Sequence, residues 1–329
     1  MTELSEELAV PNNAATPAVR EPRVSVILPT DTFETIRGVL ERLRRQTICE
    51  QIEVVLIAPS VAAVAQAIAY EEEFAAIKVV EYPVTNMAAA RALGIRSATA
   101  PILFIGETHS FPHPNMVEVL ADALAGPWAA ATPSVGNANP KGALSWAGLL
   151  ADYAQWAEGL RPGESSAAPP YNAAYKKSML LELGDDLEFA LGFGGELPKW
   201  MRARGHRAYF APSARIDHAN VAVPSHWIGE RFFAGWAIAS HRAGRWSLAR
   251  RFAYIGGSGL IPIVLVWRVL PGILRTVGRE DLPVATIPAV MLGAIVKAFG
   301  ELCGYLGGPP GKAEQLMQEY ELHKLAYLA

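Results

Sequence analysis

Along residues 24–132, short apolar runs alternate with helical patterns, and this alternation constrains the fold more than any other feature of the sequence. The first run, residues 24–28, is uninterrupted and rich in β-branched residues, as is typical of a strand buried on both faces. Residues 33–46 follow with apolar side chains at helical spacing. Repeated strand–helix–strand units predict an α/β fold with a mostly parallel sheet flanked by helices. Further strands are predicted over 53–57, 77–81, 102–105 and 128–132, and further helices from residue 61 and over 86–98 and 115–125.

The following part of the chain, residues 136–251, mixes helical and extended patterns and contains no internal repeat. We predict helices over 143–160 and 197–204. Extended segments are expected over 172–175 and 208–216, with Pro212 as a break in the second.

Two apolar segments come next, at residues 252–273 and 282–300, and each contains a single charged residue, Arg268 or Lys297. Their uncharged runs are longer than those of most buried helices and shorter than a typical membrane span. The polar link 275–281 between them predicts a helical hairpin.

A basic stretch precedes this hairpin. Residues 199–251 carry ten Lys and Arg side chains against only Asp217 and Glu230, and four of the eight tryptophans lie in or just before the hairpin. Such a composition is typical of proteins at the anionic cytoplasmic face of a membrane. We therefore expect association with a membrane, by spanning it or by lying in its surface. The alternative is a soluble helical subdomain that packs on the main domain.

Composition excludes several classes of protein. The chain is 51% hydrophobic and only 19% charged, which is too apolar for a disordered chain. A net charge of −3 argues against a partner that is a nucleic acid. The two cysteines, Cys49 and Cys303, support neither a disulfide scaffold nor a cysteine zinc cluster, and they favour a reducing compartment. Residues 1–22 lack the apolar core of a signal peptide and are predicted to be a loose tail.

Polar residues follow the predicted strand 102–105, where Glu107 and His109 flank Thr108. Side chains two residues apart on extended backbone share a face, so this carboxylate and imidazole can reach one divalent ion. A polar loop without a metal is the alternative that the spacing alone leaves open. Neither a dinucleotide-binding glycine motif nor a phosphate-binding P-loop follows the first strand.

The order of motifs over residues 24–250 resembles that of the family 2 glycosyltransferases, which have a GT-A fold. Residues 24–30 (VSVILPT) resemble the first strand of that family, and residues 89–95 (AARALGI) resemble the helix that precedes its metal-binding strand. Glu107-Thr108-His109 falls at the family's Asp-x-Asp motif as a Glu-x-His variant. Residues 171–177 resemble the segment that joins the donor and acceptor halves in that family. Residues 194–196 resemble its acidic motif on the acceptor side.

The resemblance implies transfer of a sugar from a nucleotide diphosphate, with UDP favoured, to a lipid-linked or glycan acceptor. It implies that Glu107, His109 and His218 hold Mn²⁺ or Mg²⁺, and that Glu196 is the general base of an inverting reaction. Asp185, Asp186 and Glu188 are rival candidates for that base. The donor is expected at Pro29, Thr30, Asp31, Ser60, Arg91 and Glu107, and the acceptor at Tyr171, Asn172, Arg242, Arg245 and Trp246.

Departures from the family pattern leave a second hypothesis open. The family's Asp-Gly-Ser after the second strand is Ala58-Pro59-Ser60 here, which removes a carboxylate that contacts the base; Asp31 or Glu34 could replace it. The alternative is therefore a GT-A domain that binds a nucleotide sugar or a protein partner without turnover. A sugar nucleotidyltransferase would need a glycine-rich loop after the first strand, and none is present.

These expectations divide the chain into five parts. After the tail come a nucleotide-sugar half at 23–135 and an acceptor half at 136–251, then the apolar hairpin at 252–307 and a C-terminal helix at 308–329. The expected location is the cytoplasmic face of the cell membrane.

Overall fold

The computed structural model describes residues 21–276, 282–307 and 310–328. The predicted tail, apart from residues 21 and 22, and most of the predicted link at 275–281 lie outside these described residues.

The described residues form a central sheet of nine strands in the order β3-β2-β1-β4-β8-β6-β9-β5, with β7 paired to β9. The pairs β1–β2, β2–β3, β1–β4 and β6–β9 are parallel, whereas β8, β5 and β7 pair with antiparallel neighbours. The parallel arrangement predicted for the first half is confirmed, and the second half is mixed. The strands are β1 (Val24–Pro29), β2 (Ile52–Ala58), β3 (Ala76–Glu81), β4 (Ile102–Ile105), β5 (Ser110–Pro112), β6 (Ala130–Asn137), β7 (Gly163–Ser165), β8 (Ala173–Lys176) and β9 (Ala208–His218).

Helices cover both faces of the sheet. Every residue of β1 and β2 is buried, because one face packs against α1, α4 and α5 and the other against α3, α6, α7 and α8. The helices are α1 (Phe33–Leu43), α2 (Ala65–Ile68), α3 (Met87–Ser97), α4 (Met116–Leu124), α5 (Ala143–Tyr153), α6 (Lys177–Leu181), α7 (Leu187–Leu191), α8 (Glu196–Ala203), α9 (Pro224–Ala243), α10 (Leu248–Gly256), α11 (Ile261–Thr276), α12 (Thr286–Leu306) and α13 (Pro310–His323).

Strand β9 is longer than the sequence predicts and reaches His218. Its register with β6 shifts between Pro133 and Ser134, and the Ser134 hydroxyl donates to the carbonyls of Pro212 and Ala214 across that irregularity. The strand can therefore continue beyond its proline, because the bulge absorbs the residue that lacks a backbone donor. Two helices are shorter than predicted: the one expected over 143–160 ends at Tyr153, and the one expected from residue 61 is α helical only over Ala65–Ile68.

A third apolar core lies between α5, α9, α11, α12 and α13. Helix α12 approaches α9 closely through glycines: a Cβ added at Gly300 would lie 2.0 Å from the Phe232 carbonyl oxygen, and one at Gly235 would lie 2.0 Å from that of Lys297. The second apolar segment is thus packed directly on α9, while the predicted domain boundary at 252 stays a prediction.

The opposite side of this helical layer is apolar and exposed. Fifteen of the twenty exposed large apolar side chains among the described residues lie between positions 248 and 306, including Trp267 at 76% and Phe299 at 60% exposure. Ser258–Thr276 and Thr286–Leu306 are long and apolar enough to cross a membrane. Both predicted apolar segments are therefore helical, and their outer surface is suited to an apolar environment.

Candidate active site

The turn that carries Glu107 and His109 lies between β4 and β5, at the carboxyl edge of the sheet. Strand β5 pairs antiparallel with β9 so that Ser110 stands opposite His218, and the Ala219 amide donates to the His109 carbonyl at 3.0 Å. This pairing brings together two parts of the chain that are more than a hundred residues apart in sequence.

Glu107, His109 and His218 converge in the buried interior. The Glu107 Oε2 atom lies 3.5 Å from His109 Nε2 and 3.7 Å from His218 Nε2, and one ligand atom from each residue lies within 4.8 Å of the others. Both separations are too long for good hydrogen bonds. They are close to the spacing of ligands that share one ion at bond lengths of about 2.0–2.2 Å.

Neighbouring polar groups fix the orientation of the carboxylate. Asn172 Nδ2 donates to Glu107 Oε2 at 2.5 Å and also contacts Ser110 Oγ and Tyr153 Oη. The Ser110 hydroxyl donates to the same carboxylate oxygen at 3.0 Å. Asn172 has a positive φ of 49°, which is unusual for a residue other than glycine. Its conformation therefore places the amide on Glu107 at some cost in backbone energy.

The two imidazoles direct their Nε2 atoms toward the carboxylate. Asn220 Oδ1 lies 2.9 Å from His218 Nδ1; when Nδ1 donates there, Nε2 is left as a free acceptor. His109 Nε2 is buried and has no hydrogen-bond partner among the described residues. A buried polar atom without a partner is rare, and this one points toward a carboxylate and a second imidazole. The three side chains therefore fit a divalent cation.

Burial governs the protonation of these groups. It lowers the pKa of His109 and of His218 well below the usual range, assisted in both by the positive charge of Lys324, so both rings are neutral at pH 7. Burial and the negative charge of Glu321 raise the pKa of Glu107 to about 7. A cation bound at this point would stabilise the Glu107 carboxylate.

A cavity of about 570 Å³ opens beside the three residues. Arg231 donates to both oxygens of Asp152 in its wall, at 3.0 and 2.8 Å. Although burial opposes ionisation of Asp152, the Arg231 charge holds the pKa of that carboxyl well below its usual range. The charged side chains that line the cavity are Arg91, Glu107, Asp152, Asp185, Glu188, Glu230, Arg231, Lys297, Glu314, Glu321 and Lys324.

Of the residues predicted to bind the donor, Arg91 and Glu107 line the cavity, whereas Pro29, Thr30, Asp31 and Ser60 lie at or just after the carboxyl ends of β1 and β2. Pro29 ends β1, and Thr30 is buried and donates to the Thr32 carbonyl at 2.8 Å. Asp31 accepts from Thr35 and pairs with His323 at 2.7 Å. The Ser60 hydroxyl accepts from the Ala63 amide. Arg91, from α3, lies 4.0 Å from Glu107 Oε1 and 5.1 Å above the Tyr171 ring.

The residues predicted for the acceptor side are spread over three places. Tyr171 lines the cavity, whereas Asn172 is buried against Glu107. Arg242 Nε donates to the Gly194 carbonyl at 3.1 Å. Farther along, Arg245 pairs with Asp186 at 2.9 Å, and the Trp246 ring stacks on Tyr305.

Glu196 is the first residue of α8 and pairs with Lys199 at 2.7 Å. Its neighbour Gly195 lines the cavity, as do the rival acids Asp185 and Glu188. Glu188 accepts a hydrogen bond from Asn86 at 2.9 Å. Asp185 and Glu188 therefore line the cavity, and Glu196 follows the lining residue Gly195 in the chain.

Sequence reasoning missed several residues of this region. Ser110, Tyr153 and Asn220 surround the candidate metal residues but belong to no recognised motif. Lys324 comes from the C-terminal segment and lines the same cavity. The signal that could have found Asn220 is its position two residues after His218 on extended backbone, which puts both side chains on one face.

The architecture is a GT-A-type fold. The mannosyltransferase PcManGT from Pyrobaculum calidifontis, in complex with GDP-Man and Mn²⁺, superposes with a TM-score of 0.52 and 18% identity, over 86% of this chain and 87% of that chain. S. aureus TarS 1-349 in complex with UDP gives a TM-score of 0.45 and 11% identity over 91% of both chains. No protein-family model matches the sequence, and no curated protein is significantly similar to it. At 18% identity, the likeness to the mannosyltransferase establishes the fold.

Proposed function

We propose that this protein is a metal-dependent, inverting family 2 glycosyltransferase that uses a nucleotide-diphosphate sugar. The observation that carries the proposal is the convergence of Glu107, His109 and His218 at the carboxyl edge of a GT-A-type sheet. Ligands of open α/β sheets bind at that edge. The buried His109 Nε2, which has no partner among the described residues, supports a cation there rather than a merely structural polar cluster.

Glu107, His109 and His218 would hold the ion. One carboxylate and two imidazoles suit Mn²⁺ better than Mg²⁺, which prefers oxygen ligands. When bound, a divalent cation neutralises the charge that develops on the leaving diphosphate. Arg91 would add a second positive contact to the same phosphates. Asn172 would hold the Glu107 carboxylate in the orientation that binding requires.

The donor would lie along Pro29, Thr30, Asp31 and Ser60, with its diphosphate toward Arg91 and Glu107. Asp31 would take the place of the base-contacting carboxylate that is lost at Ala58. UDP is the favoured nucleotide because of the resemblance to the family. Tyr171, Arg242, Arg245 and Trp246 remain the proposed acceptor side, whereas the buried Asn172 is reassigned to the metal site.

The acceptor is proposed to be lipid-linked or a glycan at the cytoplasmic face of the membrane. Exposed apolar side chains of α10, α11 and α12 support this location, because a surface so rich in apolar groups marks an interaction site. The arginines of residues 242–251 flank this surface and would contact anionic lipid headgroups.

Titration calorimetry with UDP and with GDP, each with and without Mn²⁺, tests the donor and the metal together. We expect binding that depends on the metal, and slow hydrolysis of the matching nucleotide sugar. Metal-dependent binding without hydrolysis or transfer to any lipid or glycan acceptor would favour the alternative of a binding domain. The absence of binding for both nucleotides would contradict the proposed UDP or GDP donor.

Glu196→Gln tests the proposed general base. The amide keeps the size of the side chain and cannot accept the acceptor's proton, so the transfer rate should fall by roughly 10²–10⁴-fold while donor affinity is nearly unchanged. Glu188→Gln, at the wall of the same cavity, is the matched control. A near-normal rate for Glu196→Gln together with a large loss for Glu188→Gln would reassign the base.

A further inference from the structure

The C-terminal segment, which we define as residues 319–324, crosses the edge of the sheet where the donor is proposed to bind. The Thr108 hydroxyl lies 2.9 Å from the Glu321 carbonyl oxygen and 3.1 Å from that of Leu322. Thr108 stands between Glu107 and His109 in the chain. The backbone of the C-terminal segment therefore covers the centre of the candidate metal turn.

A second contact involves Asp31. His323 Nε2 lies 2.7 Å from Asp31 Oδ2, and its other ring nitrogen lies 2.8 Å from Glu319 Oε1. The Asp31 carboxylate, proposed above to contact the base of the nucleotide, is thus already occupied by the protein's own chain.

The side chains on either side of His323 are buried. Leu322 is 7% exposed and belongs to the apolar cluster that also contains Ile27 and Met87. Lys324 is 5% exposed and lies 3.4 Å from Glu230 and 3.7 Å from Glu321. It brings an ammonium group into the cavity that Glu107 lines. The segment thus supplies an apolar group and a cation to a groove proposed to receive a base and a metal-bound diphosphate.

We propose that the C-terminal segment and the nucleotide donor compete for one groove, so that the segment must withdraw before the donor binds. The inference rests on the proposed function, because that proposal defines the groove. Asp31 and Thr108 cannot bond the segment and a nucleotide with the same atoms at the same time. A site whose open form is only partly populated binds its ligand more weakly by that fraction.

Contacts away from the groove anchor the chain around the segment, and they indicate which part of it would move. Helix α13 packs on α9 through Ala313, Met317 and Tyr320, and these residues belong to the third apolar core. Beyond the segment, the Tyr327 carbonyl accepts from the amides of Ala222 and Val223. Withdrawal would therefore unwind the last turn of α13 after Tyr320 and break the Tyr327 contacts, while the part of α13 before Tyr320 keeps its place on α9.

Nucleotide affinity in the full-length protein tests the competition. Leu322→Ala removes the buried anchor, and Leu325→Ala is the matched control, since Leu325 is exposed. The affinity for UDP or GDP with Mn²⁺ should rise at least about tenfold in Leu322→Ala and stay unchanged in Leu325→Ala. His323→Ala should act in the same direction with a smaller effect, and it preserves the core if Leu322→Ala does not fold.

Trypsin provides a second measurement on the unaltered protein. Cleavage after Lys324 releases residues 325–329, and it requires local opening because Lys324 is buried. We expect UDP or GDP with Mn²⁺ to accelerate this release, as followed by mass spectrometry. Slower release in the presence of nucleotide would contradict the competition, as would weaker nucleotide binding by both Leu322→Ala and His323→Ala. Either result would mean that the segment forms part of the donor site.

An error in the proposed function would give a different experimental result from an error in the proposed competition. If neither nucleotide binds the wild type or Leu322→Ala, the donor assignment itself is wrong and the competition falls with it. Binding of equal affinity in all four proteins would refute only the competition.

Discussion

Strands β1 and β2 and helices α11 and α12 are all strongly apolar, but the protein uses these segments in opposite ways. Every residue of the two strands is buried between helices, whereas α11 and α12 leave Trp267, Leu274 and Phe299 exposed. A strand within a sheet has two faces that other elements can cover. The helical layer has its inner side on the acceptor half, and its outer side meets no other described element. Apolar sequence alone thus does not distinguish a core from a surface for an external partner.

Helix α12 combines a buried apolar side and an exposed apolar side within one element. Its buried side follows the helical period through small residues such as Gly293 and Gly300, together with Glu301. Its other side carries Met291, Ile295 and Phe299. The small residues allow α9 to approach closely, and the large ones remain exposed.

The largest effect should come from the sheet edge. Glu107→Gln preserves the shape of the side chain and removes its charge, so metal affinity should collapse and transfer should fall by about 10³-fold, since a metal Lewis acid contributes several kcal/mol. Vesicle binding should be unchanged. Calorimetry with Mn²⁺, a transfer assay and vesicle sedimentation measure the three quantities.

Glu73→Gln, at a surface pair with Arg44, is the control for that experiment. If Glu107→Gln also weakened vesicle binding, the metal site at the sheet edge and the exposed helical layer would not act independently. The contrast drawn here between the two regions would then be wrong.

Adjacent residues of α12 should respond differently to substitution. Gly300→Ala places a methyl group against the Phe232 carbonyl and should lower the free energy of unfolding by about 3 kcal/mol. Phe299→Ser, one residue earlier on the exposed side, should change it by less than ~0.5 kcal/mol. Thermal unfolding in mild detergent compares them. A small effect of Gly300→Ala would mean that α9 and α12 are not closely packed in solution.

The exposed side should control membrane binding. Trp267→Ser removes a large exposed apolar group, so partitioning to vesicles of phosphatidylcholine and phosphatidylglycerol should fall roughly tenfold, corresponding to ~1.4 kcal/mol. Leu181→Ser, an exposed leucine on α6, should have no effect. If the wild type stays soluble without detergent and does not bind these vesicles, the membrane proposal is wrong.

The smallest expected effect is on trypsin cleavage of the C-terminal segment, which contacts both the sheet edge and the helical layer. Burial opposes protonation of His323, but its hydrogen bonds to Asp31 and Glu319 outweigh this and raise its pKa above the usual value. A raised pKa means that the contact stabilises the closed segment at low pH and is lost as the pH rises through that pKa. Trypsin release of 325–329 should therefore be slower in the wild type than in His323→Gln at pH 6, by a few-fold.

At pH 9 the two proteins should be cleaved at the same rate. A difference that persists at pH 9 would mean that His323 holds the segment by packing rather than by its charge.

For the candidate site, sequence motifs predict which residues take part but not how those residues are arranged in space. Glu107 and His109 were recognised from their position after a strand, and His218 from a resemblance. Their convergence depends on the β5–β9 register, which is a long-range pairing that local sequence does not encode. For the same reason Asn172, expected on the acceptor side, lies against Glu107.

Local sequence patterns predict most of the strands and helices, but not the short strands β5 and β7. Apolar runs in β1, β2 and β4 predicted strands to within a residue or two, because a strand buried on both faces must be apolar throughout. The two apolar segments likewise predicted α11 and α12. Long-range packing sets which face of α12 is covered, how β9 passes Pro212 to bring His218 to the turn, and that residues 319–324 lie across Thr108 and Asp31. These features depend on contacts between residues far apart in the chain, whose energies no local pattern contains.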